Sequence, residues 1–440
     1  MTETAVAPTS ARIEALDFVR GVALFGILLM NINGMGLGPA YDNPTIAGGD
    51  TGVNLWTWLV INVGFEGTQR ALFSMLFGAG VILLSSRLEA AGRQDSGDIF
   101  FRRNLWLIGF GLVNSWVLLW DGDILYYYGI TALFLYAFRK LPGRTLLALG
   151  AGALLLGAAW SGIDTQRLLN LHDEARAAEQ VAPSARTEKQ TKTLEEWKEK
   201  SRAGLPPAAY AELREANTAS YTSALFSRAD RIKHSQSWYL YRYFFDIFGM
   251  MMLGMAFFRL GVLTLEVRTR AYLAMMGGGY AVGLTANILE ARWIMDHGFS
   301  ALAYMQAGIS YDLSRLAMTV GHLGALMLFL RSGVLPFVRQ SMAAVGRMAL
   351  TNYLTHSVVA LIIFVFLGWW GALERHQLYF IVAAIWAVQF MLSPIWLRNF
   401  HFGPVEWLWR YLTYGKKPLF RKDAGSPPPA GELPASAAVV

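Results

Sequence analysis

The sequence has no cysteine, which excludes disulfides, thiolate metal sites and a cysteine nucleophile together. Charge is also scarce, since Asp, Glu, Lys and Arg make up 16% of the 440 residues against 54% hydrophobic. No histidine precedes His172, so the first third of the chain offers no imidazole base. A cleavable signal is lacking too. The residues before Leu16 hold Glu3 and Glu14 with one arginine, and no small-residue cleavage site follows the apolar run, so the opening segment is read as retained.

What the chain has instead is a series of apolar runs near the ~20 residues needed to cross a hydrocarbon core. With a mean hydropathy of +0.35, it reads as an all-α polytopic membrane protein, a bundle of about ten transmembrane helices with a helical extramembrane insert. Its 43 glycines, 15 tryptophans and 18 tyrosines fit that class. Small residues let membrane helices approach, and amphipathic rings settle at the interfaces. The net charge of +7 would suggest nucleic acid in a soluble protein. Here the positives fall between apolar segments, so they report topology and no nucleic-acid partner.

The expected spans are 12–33, 65–86, 105–120, 124–138, 145–160, 238–258, 271–293, 313–330, 342–367 and 378–397, with an interfacial piece at 55–61. Connections alternate in charge. Loop 34–52 has no Lys or Arg, whereas Arg87, Arg93, Arg102 and Arg103 follow the next span, and loops 259–270 and 331–339 are basic. Under the positive-inside rule this puts both termini in the cytoplasm, and the plasma membrane is the expected location of the chain. The organisation is then a first membrane half at 1–163, an extramembrane insert at 164–236, a second half at 237–423 and a disordered Pro- and Ala-rich tail at 424–440. Within the insert, Thr193 to Glu196 has capping-box spacing, and Pro207 can start a helix. Two echoes at helix ends, FRLGVL at 258–263 and LRSGVL at 330–335, are either a trace of duplication or ordinary glycine capping.

Polar residues inside the spans mark the candidate sites, because a charge at the bilayer centre costs at least ~3 kcal/mol. Asp17 and Arg20 share a helical face, either as an orienting salt bridge or with Arg20 holding an anionic group. Asn31 and Asn33 follow near the far end of the same helix, as interhelical hydrogen-bonding groups or as substrate contacts. Glu66 and Arg70 have i, i+4 spacing, and Ser74 continues their face. Asp121-Gly122-Asp123 reads as an exposed turn, with metal binding a weak alternative. Asp312 and Arg315 can pair, and His322 lies on the same face. Asn352 and His356 stand one turn apart, with Arg347 before them and Ser357 after. A Ser-His hydrolase is excluded, because adjacent residues diverge on a helix and no nucleophile elbow is present. Near the end, PVEWLWRYLTYGKK combines rings with cations including Arg410, as an interfacial helix or as a receiver of phosphate.

Five stretches, in order, carry a resemblance: RIEALDFVRGVALFGILLMNI, FEGTQRALFSMLFGAG, RRNLWLIGFG with WDGDIL, GRMALTNYLTHS and SPIWLRNFHFGPVEWLWRYLTYGKKPL. They resemble the YeiB-like membrane proteins, which contain the domain of unknown function 418. That family is grouped with the transmembrane acyltransferases, among them heparan-glucosaminide acetyltransferase and acyltransferase family 3. The resemblance implies a bundle that takes an acyl group from cytoplasmic acyl-CoA and passes it to a small-molecule, glycan or lipid acceptor at or beyond the outer face. In acyltransferase family 3 an Arg is followed, after ten intervening residues, by a His. Arg20 matches that Arg, while Asn31 stands where the His would be.

On this reading Glu66, His322 or His356 is the base. Asn31, Asn33, Arg70, Ser74 and Asn352 bind substrate, Arg20, Arg347 and Arg410 receive acyl-CoA, and no metal takes part. The rival reading is a transporter or lipid-handling protein whose polar residues bind a substrate between helices without a covalent step. A scaffold whose insert recruits a partner is a third. Membrane lipids and a second copy of the chain, as a homodimer, are the expected associations.

Overall fold

A computed structural model describes residues 10–41, 43–201 and 205–422, with the side chains of 10–13 left aside. The expected disorder at 424–440 lies outside the described residues. The first half comprises α1 (Ser10–Leu37), α2 (Gly52–Phe65), α3 (Thr68–Ala90), α4 (Ser96–Trp116), α5 (Leu125–Leu135) and α6 (Gly143–Glu179). Three short helices follow, α7 (Glu188–Lys200), α8 (Pro207–Ala219) and α9 (Tyr221–His234). The rest is α10 (Leu240–Arg259), α11 (Thr269–Asp296), α12 (Ala301–Ala307), α13 (Tyr311–Ser332), α14 (Pro336–Arg347), α15 (Ala349–Ala360), α16 (Arg375–Asn399) and α17 (Pro404–Tyr414).

Helical structure occurs in each segment read as a span, with 342–367 divided between two helices. Six helical stretches among the described residues are long and apolar enough to cross a membrane: Glu14–Tyr41, Gly52–Ala90, Gly143–Glu179, Tyr311–Ser332, Ala349–Phe366 and Arg375–Asn399. The protein is therefore an all-helical membrane protein. Leu105 and Leu112 on α4, Leu155 and Leu156 on α6, Leu289 on α11 and Phe380 and Leu392 on α16 are exposed apolar side chains of the kind a lipid phase covers.

At the centre stands α1, most of it buried, packed against α3, α14, α15 and α16. Its contact with α14 is backbone to backbone. A Cβ on Gly346 would lie 1.8 Å from the Asp17 carbonyl oxygen, so glycine is what permits the approach. The basic loops gather at one end of the bundle, which we call the basic end. Arg139 Nε donates to Glu89, Arg259 Nη2 to the Arg139 carbonyl and Arg331 Nη2 to the Leu265 carbonyl. At the opposite, capped end, α8 and α9 lie over the bundle. Tyr210 Oη donates to the Leu37 carbonyl, and Arg228 Nη1 to that of Leu119.

Several local expectations are corrected. The 342–367 span is not one helix, because the chain breaks at Met348 between α14 and α15 and then ends in a π-helical turn, Leu361–Phe366. The expected Glu66–Arg70 pair does not form. Gly67 takes φ +67° between α2 and α3, so the two residues do not share a helix. The capping box of α7 is Thr187 with Gln190, while Thr193 lies inside the helix. The Asp121–Asp123 turn is exposed only in part: Gly122 is exposed, but Asp123 is buried and the half-buried Asp121 pairs with Arg231 of α9 at 3.0 Å. The segment around Arg410 is also more than a surface helix, since Glu406, Trp409 and Arg410 of α17 are buried against α4 and α15.

Candidate functional site

The site begins with one face of α3. Phe73 and Phe77 wall an apolar cavity, together with Leu107 of α4, Leu125 and Tyr128 of α5, and Tyr353 of α15. Arg20 of α1 and Trp409 of α17 close its basic side. The same α3 stripe, at i, i+3 and i+4 steps, continues through Gly80, Val81 and Leu84 into a smaller recess beside Arg103. In the other direction it reaches Ser74 and Arg70. Fourteen residues separate Arg70 from Leu84, so this face covers about 20 Å along the bundle.

Arg20 is 4% exposed and donates from Nη1 to Asp17 Oδ1 at 2.7 Å, while its Nη2 has no partner. An orphaned guanidinium nitrogen bordering an apolar cavity is costly unless a ligand completes it. Arg103 lies 3.7 Å over the ring of Trp409, whose Nε1 donates to the Arg103 carbonyl at 2.8 Å. Arg20 and Arg410 are electrostatic neighbours of Arg103, and Arg347 is a neighbour of Asp17. The structure thus collects Arg20, Arg347 and Arg410 at the basic end and adds Arg103. The sequence reading had counted Arg103 only as a loop charge, although the RRNLW stretch carried it.

Towards the capped end the polar groups are acids, arginines and phenols. Ser74 Oγ and Tyr128 Oη share a hydrogen bond of 2.6 Å, and both lie within hydrogen-bond distance of the Arg70 carbonyl, which accepts from whichever hydroxyl does not donate to the other. Arg70 bonds Asp246 at 3.4 Å, and Arg315 holds the same carboxylate with both Nη atoms while reaching Asp312 at 3.1 Å. The expected Asp312–Arg315 pair is therefore part of a larger cluster centred on Asp246. Glu66 accepts from Tyr311 Oη at 3.3 Å and Tyr41 Oη at 3.5 Å. Asn33, 1% exposed, donates to Tyr379 Oη at 2.8 Å, and its Oδ1 is unpartnered. Asn31 is half-buried and makes no side-chain hydrogen bond among the described residues.

The two histidines differ in what they leave free. His322 Nε2 donates to the Gly64 carbonyl at 2.8 Å, and Nδ1 accepts from Tyr280 Oη at 3.0 Å, so both nitrogens are occupied. His356 is 1% exposed. Gln389 Nε2 donates to the Asn352 carbonyl, which turns Gln389 Oε1 towards His356 Nε2 at 3.0 Å. Nε2 therefore carries the proton, and Nδ1 is a bare lone pair with no partner. Ala349, Tyr353 and His356 follow one another on one α15 face, the first two lining the cavity. Asn352 itself donates to the Val345 carbonyl and Ser393 Oγ, which makes it a brace between helices.

The sequence pattern described as "Protein of unknown function (DUF418)" matches residues 257–416. The uncharacterized protein YeiB of Escherichia coli (strain K12) is 32% identical over 403 residues, covering 90% of this chain and 95% of that protein. The uncharacterized protein YxaH of Bacillus subtilis (strain 168) is 29% identical over 418 residues, covering 92% of this chain and 95% of its own. No solved structure is significantly similar. With an all-helical membrane bundle and relatives aligned along nearly its whole length, the chain belongs to the YeiB-like family of proteins that contain the domain of unknown function 418.

Proposed function

We propose that the protein is a transmembrane acyltransferase that receives acyl-CoA at the basic end and passes the acyl group to an acceptor approaching from the capped end. The observation that carries this reading is the α3 face. It joins a group of buried arginines to an apolar cavity and then to hydrogen-bonding groups, which is the order of chemistry along acyl-CoA from phosphates to acyl chain. Arg20, Arg103 and Arg410, with Arg347 nearby, supply cations for the phosphates. Phe73, Phe77 and Leu107 supply an apolar wall for the chain. In this scheme the basic end faces the cytoplasm of a plasma-membrane protein, with both termini on that side.

Acyl transfer needs a group to take the acceptor proton and donors for the developing oxyanion. His356 has the free Nδ1 for the first role, and Glu66 is the alternative on the capped side. His322 is already saturated. The Tyr128 hydroxyl at the cavity wall is the candidate donor, its proton turning from its present partners to the oxyanion. Purified protein is expected to bind acyl-CoA and to hydrolyse or transfer its acyl group. Arg20→Gln should weaken binding, and His356→Ala or Glu66→Gln should slow turnover by about 10²-fold or more. A folded protein that fails to bind acyl-CoA would sink the reading. The partly buried Asp246 cluster between Arg70 and Arg315 favours a second reading, a carrier without covalent chemistry. Substrate accumulation in vesicles without an acyl donor would favour that one.

A further inference from the structure

Arg375 begins α16 at the capped end. It is 4% exposed, and no carboxylate among the described residues forms an ion pair with it. A buried cation without a counter-charge is costly. Its location makes matters worse, since the first turn of a helix already presents partial positive charge and disfavours a cation there. One Nη donates to the Ala40 carbonyl, which accounts for part of the guanidinium, but Nε has no partner. Space is kept before that nitrogen by Gly49, where a Cβ would lie 3.1 Å from Nε.

The nearest electrostatic partners of Arg375 are neutral phenols. Tyr379, Tyr304 and Tyr41 are the electrostatic neighbours of Arg375, and Glu66 is a neighbour of the same Tyr379. Tyr379 also receives the hydrogen bond from Asn33, whose Oδ1 is left bare. One region thus offers a cation lacking an anion, and acceptors at Asn33 and Glu66 that suit a hydroxyl.

We infer that Arg375 is the anchor of a binding site at the capped end for a ligand that carries an oxyanion, with a hydroxyl group turned to Asn33 and Glu66. Arg375 binds the phosphate or carboxylate through its free Nε–H, completing the charge that the fold leaves uncompensated. As the class of acceptor for acyl transfer, a hydroxylated anion, the inference rests on the function proposed above. The site itself does not, because binding needs no acyl donor.

The test is thermal unfolding of the full chain in nanodiscs of phosphatidylcholine, with glycerol 3-phosphate, with glycerol, or with phosphatidylglycerol included in the disc and no soluble ligand. The wild type is expected to gain about 3 °C or more with saturating glycerol 3-phosphate or with phosphatidylglycerol, and nothing with glycerol. Whichever anionic arm gives the shift identifies the ligand as a solute or a lipid headgroup. Arg375→Gln should abolish the shift and change the ligand-free midpoint little, since relief of an unpaired charge offsets the donor lost to the Ala40 carbonyl. Arg375→Lys, which keeps the charge without Nε, should retain a reduced shift and serves if the Gln variant fails to fold. An equal response in wild type and Arg375→Gln, or no response to either anion, overturns the inference. Acyl-CoA binding in the same preparation would then still stand or fall by itself.

Discussion

Asp123 lies in the turn between α4 and α5, outside the membrane-spanning helices, and only 2% of its surface is exposed. Asn114 Nδ2 donates to it at 2.7 Å and the Tyr126 amide at 2.8 Å, yet burial outweighs both bonds and pushes the carboxyl up from 3.8 to about 6. Between those values the folded protein holds a proton that the unfolded chain has released. Stability contributed by this group is thus complete below about pH 4 and lost as pH rises to about 6. Two pH units correspond to about 3 kcal/mol. Relative to Asp123→Asn, which does not titrate, the wild type should lose about that much stability across the window, as read from unfolding midpoints at each pH. Parallel pH profiles for the two proteins would show that the carboxyl is solvated. At this scale the sequence was a partial guide. It marked Asp123 as an acid in a turn, but burial depends on Asn114 and Tyr353 arriving from other helices, and nothing local announces that. Arg375 stands in the sequence between two apolar runs, while the missing counter-charge appears only in three dimensions.

Among the elements, helix existence was legible and helix interruption was not. Apolar runs longer than one span read as a single rod, as at 342–367, because lipid-facing and core-facing side chains are both apolar and periodicity fades. The break at Met348 and the turn at Gly67 leave no mark stronger than one glycine. Glycines at crossings are similarly silent in sequence and decisive in structure. In the α3–α10 contact, a Cβ on Gly254 would fall 1.8 Å from the Met75 carbonyl oxygen, and one on Gly78 would fall 1.9 Å from that of Met251. Neither contact is with a flexible side chain, so the two helices must separate to admit a methyl group. Gly254→Ala should therefore cost at least about 2 kcal/mol. Gly152→Ala, with open space around it, should be neutral or slightly stabilising through better helix propensity. Unfolding midpoints in detergent compare the two directly, and equal effects would mean that the crossing is looser than these distances.

At the scale of the molecule, the question is how a charged, water-facing insert is fastened to an apolar bundle. Its links are covalent through α6, which continues from the membrane segment to Glu179 but is largely unburied, and through the π-helical turn Ser235–Tyr239 that runs α9 into α10; neither fixes α8. Fastening comes from α8 and α9. Arg228 is buried, donates from Nε to Asn217 Oδ1 and from Nη1 to the Leu119 carbonyl, both at 2.7 Å, and its guanidinium is lowered to about 10 by burial. It therefore ties α9 to α8 and both to the turn after α4, while Arg231–Asp121 and Tyr221 to the Val117 carbonyl add weaker bonds at the rim. Removing a buried guanidinium leaves Asn217 Oδ1 and the Leu119 carbonyl short of a donor, a cost of about 1–3 kcal/mol for each group. The bundle below keeps its own contacts, α1 with α14 and α3 with α10, none of which involves the insert. Arg228→Ala should accordingly release the insert without unfolding the membrane helices. Hydrogen–deuterium exchange is expected to rise by about tenfold or more in α8 and α9 while α1, α3 and α10 keep their protection. If exchange rises uniformly, the insert and the bundle unfold as one unit and the cap is part of the core; if it does not rise in α8 and α9, Arg228 is not the fastening.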